Sequence, residues 1–467
     1  MNGHTTLVHK LKHFAIAATL AIYSTGSWGN YGDFATLLPQ GSEMGFILRA
    51  ADGSVLAEHN ADKLMLPAST LKLLTATAAW LELGPEFRYY TRLYVGEVSH
   101  GVAEGDLVIQ MSGDPTFTRA DLYRLLQQVK QVGIHTIKGR LIFDDQLFSG
   151  YDRARGWPWD DLGVCFAAPT SAVMLDSNCV RVALEPHAEA VTVKKASHIP
   201  LVIRSEIRNL PMGPLCPLEL YVEKQVYKLS GCTDKKTTLA LALDQPKHYV
   251  SAVIKQQLAE LNIALLERGD QDQVITSQVA QHHSVTLPKL LQRVLSRSDN
   301  LISDSLLRTM GAKTYQIGSF QAGIRALEET LSKQLPLDLG SSDLYDGSGL
   351  SRYNLISPRT LSALLNLWQQ DERLQPLMAM LPVAGQSGTL RYRAGTAQLG
   401  GKLRAKTGSF QQVANIAGFI DTADKDNLVV VQFINGINGN REQTKQQITE
   451  FEQALFQCIH FRCFQNN

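Results

Sequence analysis

Apolar and polar residues alternate in two short segments near the start of the chain, as they do in β-strands with one buried face. Residues 45–50 and 54–60 carry this alternation on either side of a turn at 51–53, and they predict a β-hairpin. From Ser69 the period changes to that of an amphipathic helix, with apolar residues at Leu71, Leu74, Ala78 and Leu81. The first part of the chain therefore predicts a hairpin followed by a helix.

The long middle of the chain has a different pattern of apolar and polar residues. From about residue 90 to 281 it predicts short strands, turns and loops. Within it, residues 184–243 are strand-rich with prolines between the strands, which is typical of a separate small module. Tyr151, Trp157 and Trp159 are close in sequence and predict a structural aromatic cluster.

Helices and longer strands return in the final third. Apolar periodicity predicts helices over residues 287–295 and 301–310. Three apolar strands and a closing helix end the chain, over residues 403–407, 413–420, 428–434 and 443–457. The polar face of the last helix has no cationic bias, which favours packing against a sheet over binding to a membrane surface.

Composition sets the broad class. The 467 residues are 44% hydrophobic and 19% charged, as in ordinary globular proteins of more than one domain. This balance excludes a disordered chain and a polytopic membrane protein. With 45 basic and 44 acidic residues the net charge is +1, so nothing indicates a nucleic-acid partner.

The N-terminus has the order of a secretory signal peptide. Lys10 and Lys12 precede an apolar run over residues 14–23, and small residues follow. The run is shorter than the roughly 20 apolar residues that a membrane span requires. We expect residues 1–29 to be a signal peptide that is removed on export. The alternative is a buried N-terminal helix.

The six cysteines form three pairs that are close in sequence: Cys165 with Cys179, Cys216 with Cys232, and Cys458 with Cys463. None of the pairs has the spacing of a zinc site, and export favours disulfides. Pairing between neighbours is one preference among many connectivities. For the last pair, two free thiols remain the alternative.

Ser69-Thr70-Leu71-Lys72 is the only Ser-x-x-Lys in the chain, at the beginning of the first predicted helix. On a helix this spacing puts the hydroxyl and the amine on one face. A neutral lysine can take the proton of a serine and make it a nucleophile, and N–H groups at a helix start can stabilise an oxyanion. The ordinary alternative is an N-capping serine beside a solvated lysine.

Two further motifs make the first one specific. Ser298-Asp299-Asn300 is the only Ser-x-Asn and lies between two predicted helices. Lys406-Thr407-Gly408 is the only Lys-Thr-Gly and ends a predicted strand. Each alone is also typical of a polar turn or a strand end. The order Ser-x-x-Lys, Ser-x-Asn, Lys-Thr-Gly is the signature of serine penicillin-binding proteins and β-lactamases.

Other catalytic patterns do not occur in the sequence. The stretch nearest to a Gly-x-Ser-x-Gly nucleophile elbow, residues 346–349, lacks its first glycine. The glycine-rich stretch 395–402 lacks the Ser or Thr that would bind magnesium in a phosphate loop. His282 and His283 have no metal-ligand partner at helical spacing. We therefore predict no metal and no cofactor.

The residues around the three motifs carry a family resemblance. It rests on the stretches at residues 66–72, 112–116, 156–161, 298–304, 346–352, 381–385 and 405–409. With these stretches the chain resembles the class C low-molecular-mass penicillin-binding proteins, the D-alanyl-D-alanine carboxypeptidases/endopeptidases of the penicillin-binding protein four type (peptidase family S13). The resemblance runs from about residue 30 to the C-terminus. The first four cysteines lie where Gram-negative members carry theirs, and the pair Cys458/Cys463 is a departure.

The resemblance implies an α/β (α+β) fold, in which a transpeptidase/β-lactamase-like domain is split by a large strand-rich insert. The catalytic domain is expected over residues 30–92 and 283–467. The insert is expected over 93–282, with 184–243 as a nested third module.

The resemblance also assigns the catalytic roles. Ser69 attacks the penultimate D-Ala carbonyl, and Lys72 is its base. Ser298 relays a proton to the leaving amine, and Asn300 holds the substrate amide.

Substrate binding is assigned to the third motif. Lys406 and Thr407, next to Gly408, hold the terminal carboxylate. The backbone N–H groups of Ser69 and Ser409 form the oxyanion hole.

The family members that recognise a diaminopimelate side chain use an acid and an aromatic residue of the insert, an arginine, and a residue just after the third motif. By motif match these are Asp161, Phe166, Arg352 and Gln411. An acid and an arginine suit a side chain that ends in an ammonium and a carboxylate. The alternative for Asp161 is a solvated acid in a loop.

These features predict a serine DD-peptidase of peptidoglycan. It cleaves D-Ala-D-Ala ends, D-Ala-diaminopimelate cross-links, or both, and β-lactam antibiotics acylate and inhibit it. One alternative is a β-lactamase of the same fold, against which the insert of roughly 190 residues argues. The other is a non-catalytic penicillin-binding scaffold for cell-wall material. We expect a periplasmic protein whose partners are stem peptides and cross-links, and a homodimer stays open.

Overall fold

The computed structural model describes residues 31–197, 199–223, 226–268, 277–438 and 441–462. The predicted signal peptide and Cys463 lie outside these ranges, so the predictions about them stay predictions. Within these ranges the structure has no helix with the length and hydropathy of a membrane span.

The strands are β1 (Glu43–Arg49), β2 (Val55–His59), β3 (Tyr90–Val95), β4 (Val98–Ser99), β5 (Val102–Ala103), β6 (Leu107–Met111), β7 (Thr136–Ile137), β8 (Leu141–Asp144), β9 (Cys179–His187), β10 (Ala190–Lys194), β11 (Val202–Arg208), β12 (Glu219–Glu223), β13 (Val226–Cys232), β14 (Thr237–Ala242), β15 (Ala264–Leu265), β16 (Ser277–His283), β17 (Leu403–Phe410), β18 (Val413–Asp421) and β19 (Asn427–Asn435).

The α-helices are α1 (Lys72–Leu83), α2 (Arg119–Gln131), α3 (Pro246–Glu260), α4 (Leu287–Arg297), α5 (Asn300–Tyr315), α6 (Phe320–Gln334), α7 (Pro358–Gln370), α8 (Gln375–Ala379) and α9 (Arg441–Phe461). Short 3-10 segments are Tyr31–Leu37, Ala68–Leu71, Trp159–Asp161, Cys165–Ala167, Asp176–Asn178, Gly388–Leu390 and Ala394–Leu399.

A five-stranded antiparallel sheet joins the two ends of the described chain, in the order β17-β18-β19-β1-β2. β19 pairs with β1, where Gly45 lies opposite Phe433, and with β18, where Ala417 lies opposite Val431. Nearly every residue of β18 and β19 is buried. A continuous apolar run is expected for a strand that is covered on both sides. The predicted hairpin and the three predicted C-terminal strands are confirmed, and they form one sheet.

Two cores lie on the two faces of this sheet. One contains Leu74 of α1 and Trp368 of α7, and the other contains Phe46 of β1 and Phe451 of α9. The first two turns of α1 are completely covered, because Lys72–Ala79 are all buried. A charged group in such a place is costly unless it has partners, so Lys72 must be paired.

The insert has its own core and three sheets. Its largest sheet has six strands in the order β12-β13-β11-β10-β9-β14, which agrees with the strand-rich stretch predicted over 184–243. Two smaller sheets have the orders β16-β3-β6-β8 and β15-β7-β5-β4. The exact domain boundaries stay a prediction.

Two helices of the insert, α2 and α3, were not predicted from the sequence. Helix α2 buries Leu122, Leu125, Leu126 and Val129 on one face and begins at a capping box between Thr118 and Asp121. Both signals are present in the sequence, but the many turns around them favoured strands and loops.

The predicted aromatic cluster is wrong. Trp157 is buried and packs against Phe320, whereas Tyr151 and Trp159 are 78% and 77% exposed. Sequence proximity does not decide which face of a loop a ring occupies.

Two of the predicted disulfides are confirmed: Cys165 is bonded to Cys179, and Cys216 to Cys232. The first ties the loop before the six-stranded sheet to the start of β9. The prediction about Cys458 and Cys463 falls partly outside the described residues.

Candidate active site

Ser69 lies in the 3-10 turn Ala68–Leu71, directly before α1. Ser69 therefore precedes the helix that was predicted to begin with it, and the difference comes from a contact with a distant strand. Asn415 of β18 donates its amide N–H groups to the carbonyls of Leu66 (2.9 Å) and Pro67 (3.0 Å), which holds the chain in a tighter turn before the helix begins.

Two glycines let other backbone segments press against this turn. A Cβ on Gly408 would lie 2.6 Å from the carbonyl oxygen of Pro67, and one on Gly349 would lie 1.9 Å from that of Ala68. Gly349 also has a φ of +81°, which favours glycine. β17 continues to Phe410, beyond the predicted end, because it pairs with β18 over its whole length. The third motif therefore lies within the strand, against the serine turn.

Lys72 is fully buried, and its Nζ contacts three oxygens. Nζ lies 2.8 Å from Ser69 Oγ and 2.7 Å from Asn300 Oδ1, and it also donates to the carbonyl oxygen of Ser348. Burial lowers the pKa of the Lys72 ammonium to about 8, although the negative charges of Asp304 and Asp346 oppose the shift. The neutral amine is therefore accessible near physiological pH.

The partners of Lys72 orient that neutral amine. A carbonyl oxygen only accepts hydrogen bonds, so Asn300 Oδ1 and the Ser348 carbonyl take the two N–H groups of a neutral amine. The lone pair then faces Ser69 Oγ, whose O–H can donate to it. The orientation of the Asn300 amide is set by its Nδ2, which donates to the carbonyl oxygen of Phe166 at 2.8 Å.

Two buried carboxyl groups lie behind Lys72. Asp304 follows Asn300 by one turn of α5, and its Oδ1 accepts from the N–H of Gly347 at 2.8 Å. Burial raises the pKa of Asp304 well above its usual range, and the negative charge of Asp346 raises it further. Asp304 thus holds Gly347 in place, and the carbonyl of the following residue, Ser348, accepts from Lys72.

Asp346 holds the rest of the 346–354 loop. Its carboxylate accepts from Trp157 Nε1 (2.9 Å), Gly349 N (2.8 Å), Ser351 N (2.7 Å) and Asn354 Nδ2 (2.8 Å). This loop covers the serine turn, so one buried side chain connects the insert, through Trp157, to the site.

We expect Asp346→Ala to lower the free energy of unfolding by at least about 3 kcal/mol, because several buried N–H donors lose their acceptor. Denaturant unfolding measures this loss. The matched control is Asp338→Ala, which removes an exposed carboxylate that accepts from Gly340 N at 2.8 Å. Equal losses in the two variants would contradict the structural role of Asp346.

The second and third motifs meet at Lys406. Its buried Nζ donates to Ser298 Oγ at 2.9 Å and to the carbonyl oxygen of Thr407 at 2.8 Å. Burial lowers the pKa of Lys406 well below its usual value, and the positive charges of Lys72 and Arg393 lower it further. Ser298 ends α4 in the left-handed conformation (φ 61°), which begins the turn between α4 and α5.

Thr407 and Asn300 have protein partners in this structure. Thr407 Oγ1 donates to Thr389 Oγ1 at 2.8 Å. The amide of Asn300 is engaged on both sides, by Lys72 and by the Phe166 carbonyl. The predicted roles of Thr407 and Asn300 in binding substrate stay predictions.

The four residues predicted to recognise a side chain come from the insert, the 346–354 loop and the end of β17. The Arg352 guanidinium lies 3.5 Å from the centre of the Phe410 ring, and its Nη1 donates to the Gln411 carbonyl at 3.1 Å. Burial lowers the pKa of Arg352, and the charge of Asp161 opposes this shift. Asp161 is half-buried, and Phe166 is 50% exposed. Asp161 and Arg352 thus lie close enough for their opposite charges to interact.

Sequence reasoning missed Asp304, Asp346, the Ser348 carbonyl and Thr389. Asp304 follows Asn300 by four residues, but Asn300 lies just before the helix predicted over 301–310, so their shared face appears only because the helix begins at Asn300. Asp346 and Ser348 lie in a stretch that resembles a nucleophile elbow and carries part of the family resemblance, but neither pattern assigns them a role. Thr389 had no signal in the sequence.

A buried lysine between a serine and an asparagine, with a second lysine on the adjacent strand of a helix-covered antiparallel sheet, defines the class of active-site-serine penicillin-binding proteins and β-lactamases. Within that class, the chain belongs to the D-Ala-D-Ala carboxypeptidase 3 (S13) family, whose model matches residues 33–455.

The relatives agree with this assignment. The chain is 34% identical over 450 residues to the D-alanyl-D-alanine carboxypeptidase DacB of Haemophilus influenzae, which covers 91% of this chain and 93% of the relative. Its structure matches the crystal structure of penicillin-binding protein 4 (dacB) from the same species with a TM-score of 0.84 and 34% identity, over 92% of this chain and 99% of that one. A complex of that protein with a β-lactam matches with a TM-score of 0.80 and 32% identity, over 92% and 99% of the two chains. The predicted family and fold class are confirmed.

Proposed function

We propose that this protein is a serine-type D-Ala-D-Ala carboxypeptidase/endopeptidase that acts on peptidoglycan and is acylated by β-lactams. The observation that carries the proposal is the buried Lys72, whose Nζ lies 2.8 Å from Ser69 Oγ and whose other partners are acceptors. The family membership and the β-lactam complex of the H. influenzae relative support the reaction and the inhibitor class.

The reaction begins with proton transfer from Ser69 to Lys72. Ser69 Oγ attacks the carbonyl carbon of the penultimate D-Ala and forms a tetrahedral intermediate. The backbone N–H groups of Ser69 and Ser409 are the proposed donors to its oxyanion. This assignment is supported by the close packing of β17 on the serine turn.

Collapse of the intermediate breaks the bond to the leaving amine. Ser298, hydrogen-bonded to Lys406, is the proposed relay that delivers a proton to that nitrogen. Water then attacks the acyl-enzyme and releases Ser69. A β-lactam follows the same first step, but its leaving amine stays attached to the acyl group, so it blocks the site.

The carboxylate at the end of the substrate is the proposed ligand of Lys406 and Thr407. An anion next to Lys406 would compensate the burial that now disfavours its positive charge.

The proposed reaction is tested by incubating the purified protein with a stem pentapeptide and with a cross-linked dimer. Mass spectrometry should show the loss of one D-Ala from the first and cleavage of the second. A chromogenic cephalosporin distinguishes the alternatives. Rapid multiple turnover of that compound without release of D-Ala would indicate a β-lactamase, and no reaction of either kind would indicate a scaffold.

We also propose that Asp161 and Arg352 bind the two charged ends of a diaminopimelate side chain. Burial raises the pKa of Asp161, and the negative charge of Asp160 raises it further. An ammonium ligand would therefore stabilise the negative charge of Asp161, which this site disfavours. Arg352 is positioned by Phe410 and Gln411 to present its guanidinium to a carboxylate.

Asp161→Ala or Arg352→Ala should remove a charge-assisted contact of roughly 1.5–3 kcal/mol. We expect a loss of about 10- to 150-fold in kcat/KM on peptides with free diaminopimelate. Peptides with a plain alkyl side chain at that position should be affected much less, and penicillin acylation should change little.

The control is Arg124→Ala, which removes an exposed arginine of α2 that pairs with Asp121. It should leave both peptides unaffected. Equal losses on diaminopimelate and alkyl peptides would mean that Asp161 and Arg352 support the cleft in general, and the diaminopimelate assignment would be withdrawn.

We further propose a periplasmic location. The signal-peptide order of residues 1–29 supports it. Mature protein from a Gram-negative host should lack roughly its first 25–30 residues and fractionate with soluble periplasmic material. Mass spectrometry of the N-terminus checks this, and an intact Met1 with salt-resistant membrane association would contradict it. Sedimentation of the same sample decides between a monomer and a homodimer.

A further inference from the structure

A groove of about 860 Å³ lies on the insert, apart from the catalytic residues. Part of its lining is the 3-10 turn that contains Trp159 and Asp160. Most of the rest comes from β11, β12 and β13, with Arg204, Tyr221 and Lys228 among the lining residues. None of the site residues described above lines it.

One short segment lies between the groove and the 346–354 loop of the cleft. The turn Trp159–Asp161 contributes Trp159 and Asp160 to the groove, and Gly156, three residues before this turn, accepts from Arg352 N at 2.9 Å. The chain after this turn is fixed to the six-stranded sheet by the bridge between Val164 and Leu241 and by a disulfide. This side of the groove is therefore held in place by the sheet. A substrate that extends from the cleft past Asp161 would contact it.

The strands of the groove present polar side chains in register. Lys228 lies beside Arg204 on one neighbouring strand and beside Tyr221 on the other. In the next row on the same face, Ser230 lies beside Glu206 and Glu219. These rows mix both signs of charge, and Asp160 adds another acid. Such a lining suits a neutral polar ligand, because a polyanion or a polycation would meet like charges.

The two aromatic residues of the groove are exposed, Trp159 by 77% and Tyr221 by 53%. Both rings line the same groove among polar side chains, so their exposed faces are available to one ligand. A pyranose ring has apolar C–H faces that stack on an aromatic ring, and its rim of hydroxyl and amide groups hydrogen-bonds to acids, arginines and lysines. This is the chemistry that the groove offers.

We propose that the groove binds the glycan part of the substrate, a chain of N-acetylated amino sugars, while the cleft holds the attached stem peptide. The identity of the polymer rests on the proposed function, because a peptidoglycan stem peptide is joined to such a glycan. The groove would favour polymeric substrate over free peptide without changing the chemistry at Ser69.

The binding experiment uses the full mature protein and the N-acetylglucosamine tetramer, which contains no peptide. Isothermal titration calorimetry should detect binding by the wild type. Tyr221→Ala and Arg204→Ala, on two different strands, should each weaken it by about 5- to 30-fold. The matched control is Phe461→Ala, which removes a ring of α9 that is 68% exposed, and it should bind as the wild type does.

The activity experiment compares two substrates in the same variants. Tyr221→Ala should release D-Ala from polymeric peptidoglycan several-fold more slowly than the wild type, and from a free stem pentapeptide at the wild-type rate. Since both groove residues are exposed, unchanged melting temperatures are expected and verify that the variants are folded.

Three results would overturn the inference: no binding of the tetramer by the wild type, displacement of the tetramer by the free stem peptide, or equal losses of activity on both substrates. Binding of the tetramer that depends on Tyr221, in a protein that releases D-Ala from no substrate, would support the groove while refuting the proposed function.

Discussion

Ser69→Ala should abolish the covalent penicillin adduct and reduce the release of D-Ala by at least about 10⁴-fold, the scale expected when a serine nucleophile is removed. The reason is that the acyl-enzyme cannot form without the Oγ. No other serine hydroxyl in the described residues contacts the Nζ of Lys72. Intact-mass spectrometry after exposure to penicillin measures the adduct directly.

The variant should keep its fold. Ser69 Oγ is hydrogen-bonded to Lys72, which retains the Asn300 and Ser348 acceptors. The expected cost in free energy of unfolding is therefore about 1–2 kcal/mol. Ser332→Ala, at an exposed serine of α6, is the control and should acylate normally. An adduct mapped to a different serine in Ser69→Ala would refute the nucleophile assignment.

Lys72→Ala should bind penicillin but acylate at least about 10²-fold more slowly, as expected for the loss of a general base. Lys72→Arg is the sharper test. A guanidinium keeps the positive charge but does not lose its proton in proteins, so it should be as slow as Lys72→Ala if the lysine acts as a base. Stopped-flow acylation with a chromogenic β-lactam measures both.

The pH dependence of acylation has a defined sign. Because the pKa of Lys72 is lowered to about 8, the neutral base is the minor form below that pH and the major form above it. The acylation rate should rise about tenfold per pH unit below pH 8 and level off above it. The rise in acylation rate below pH 8 should be absent in Lys72→Arg. If Lys72→Arg acylated at the wild-type rate, the general base would have to be a residue other than Lys72.

Lys402→Ala is the matched control for these variants. Lys402 is exposed and lies directly before the strand that carries Lys406. Its removal changes the net charge by the same amount as Lys72→Ala, so an unchanged rate would show that the effect of Lys72 is local.

Local patterns explain what could be predicted. The hairpin follows from a period of two residues, helices α4 and α5 from a period of 3.6, and the three C-terminal strands from short apolar runs, and these patterns depend only on neighbours in sequence. Helix α2 shows the limit of this approach. Its apolar face and capping box are clear, but they lie among many turns and were outweighed by them.

The candidate site also has features that the sequence predicts and features that it does not. Its three motifs are short and unique in the chain, so the sequence by itself determined the class of chemistry and the residues that carry it. Their family order supplied the roles. Short motifs, however, say nothing about how far a side chain is buried or which distant backbone faces it.

Only the tertiary structure decided the properties of Lys72. Its lowered pKa comes from burial within α1, and its orientation comes from Asn300 and from the Ser348 carbonyl, 228 and 276 residues away in sequence. Asp304 and Asp346, which set this environment, are ordinary acids in the sequence. Burial and contacts between distant residues arise from the packing of the whole chain, and no local pattern contains them.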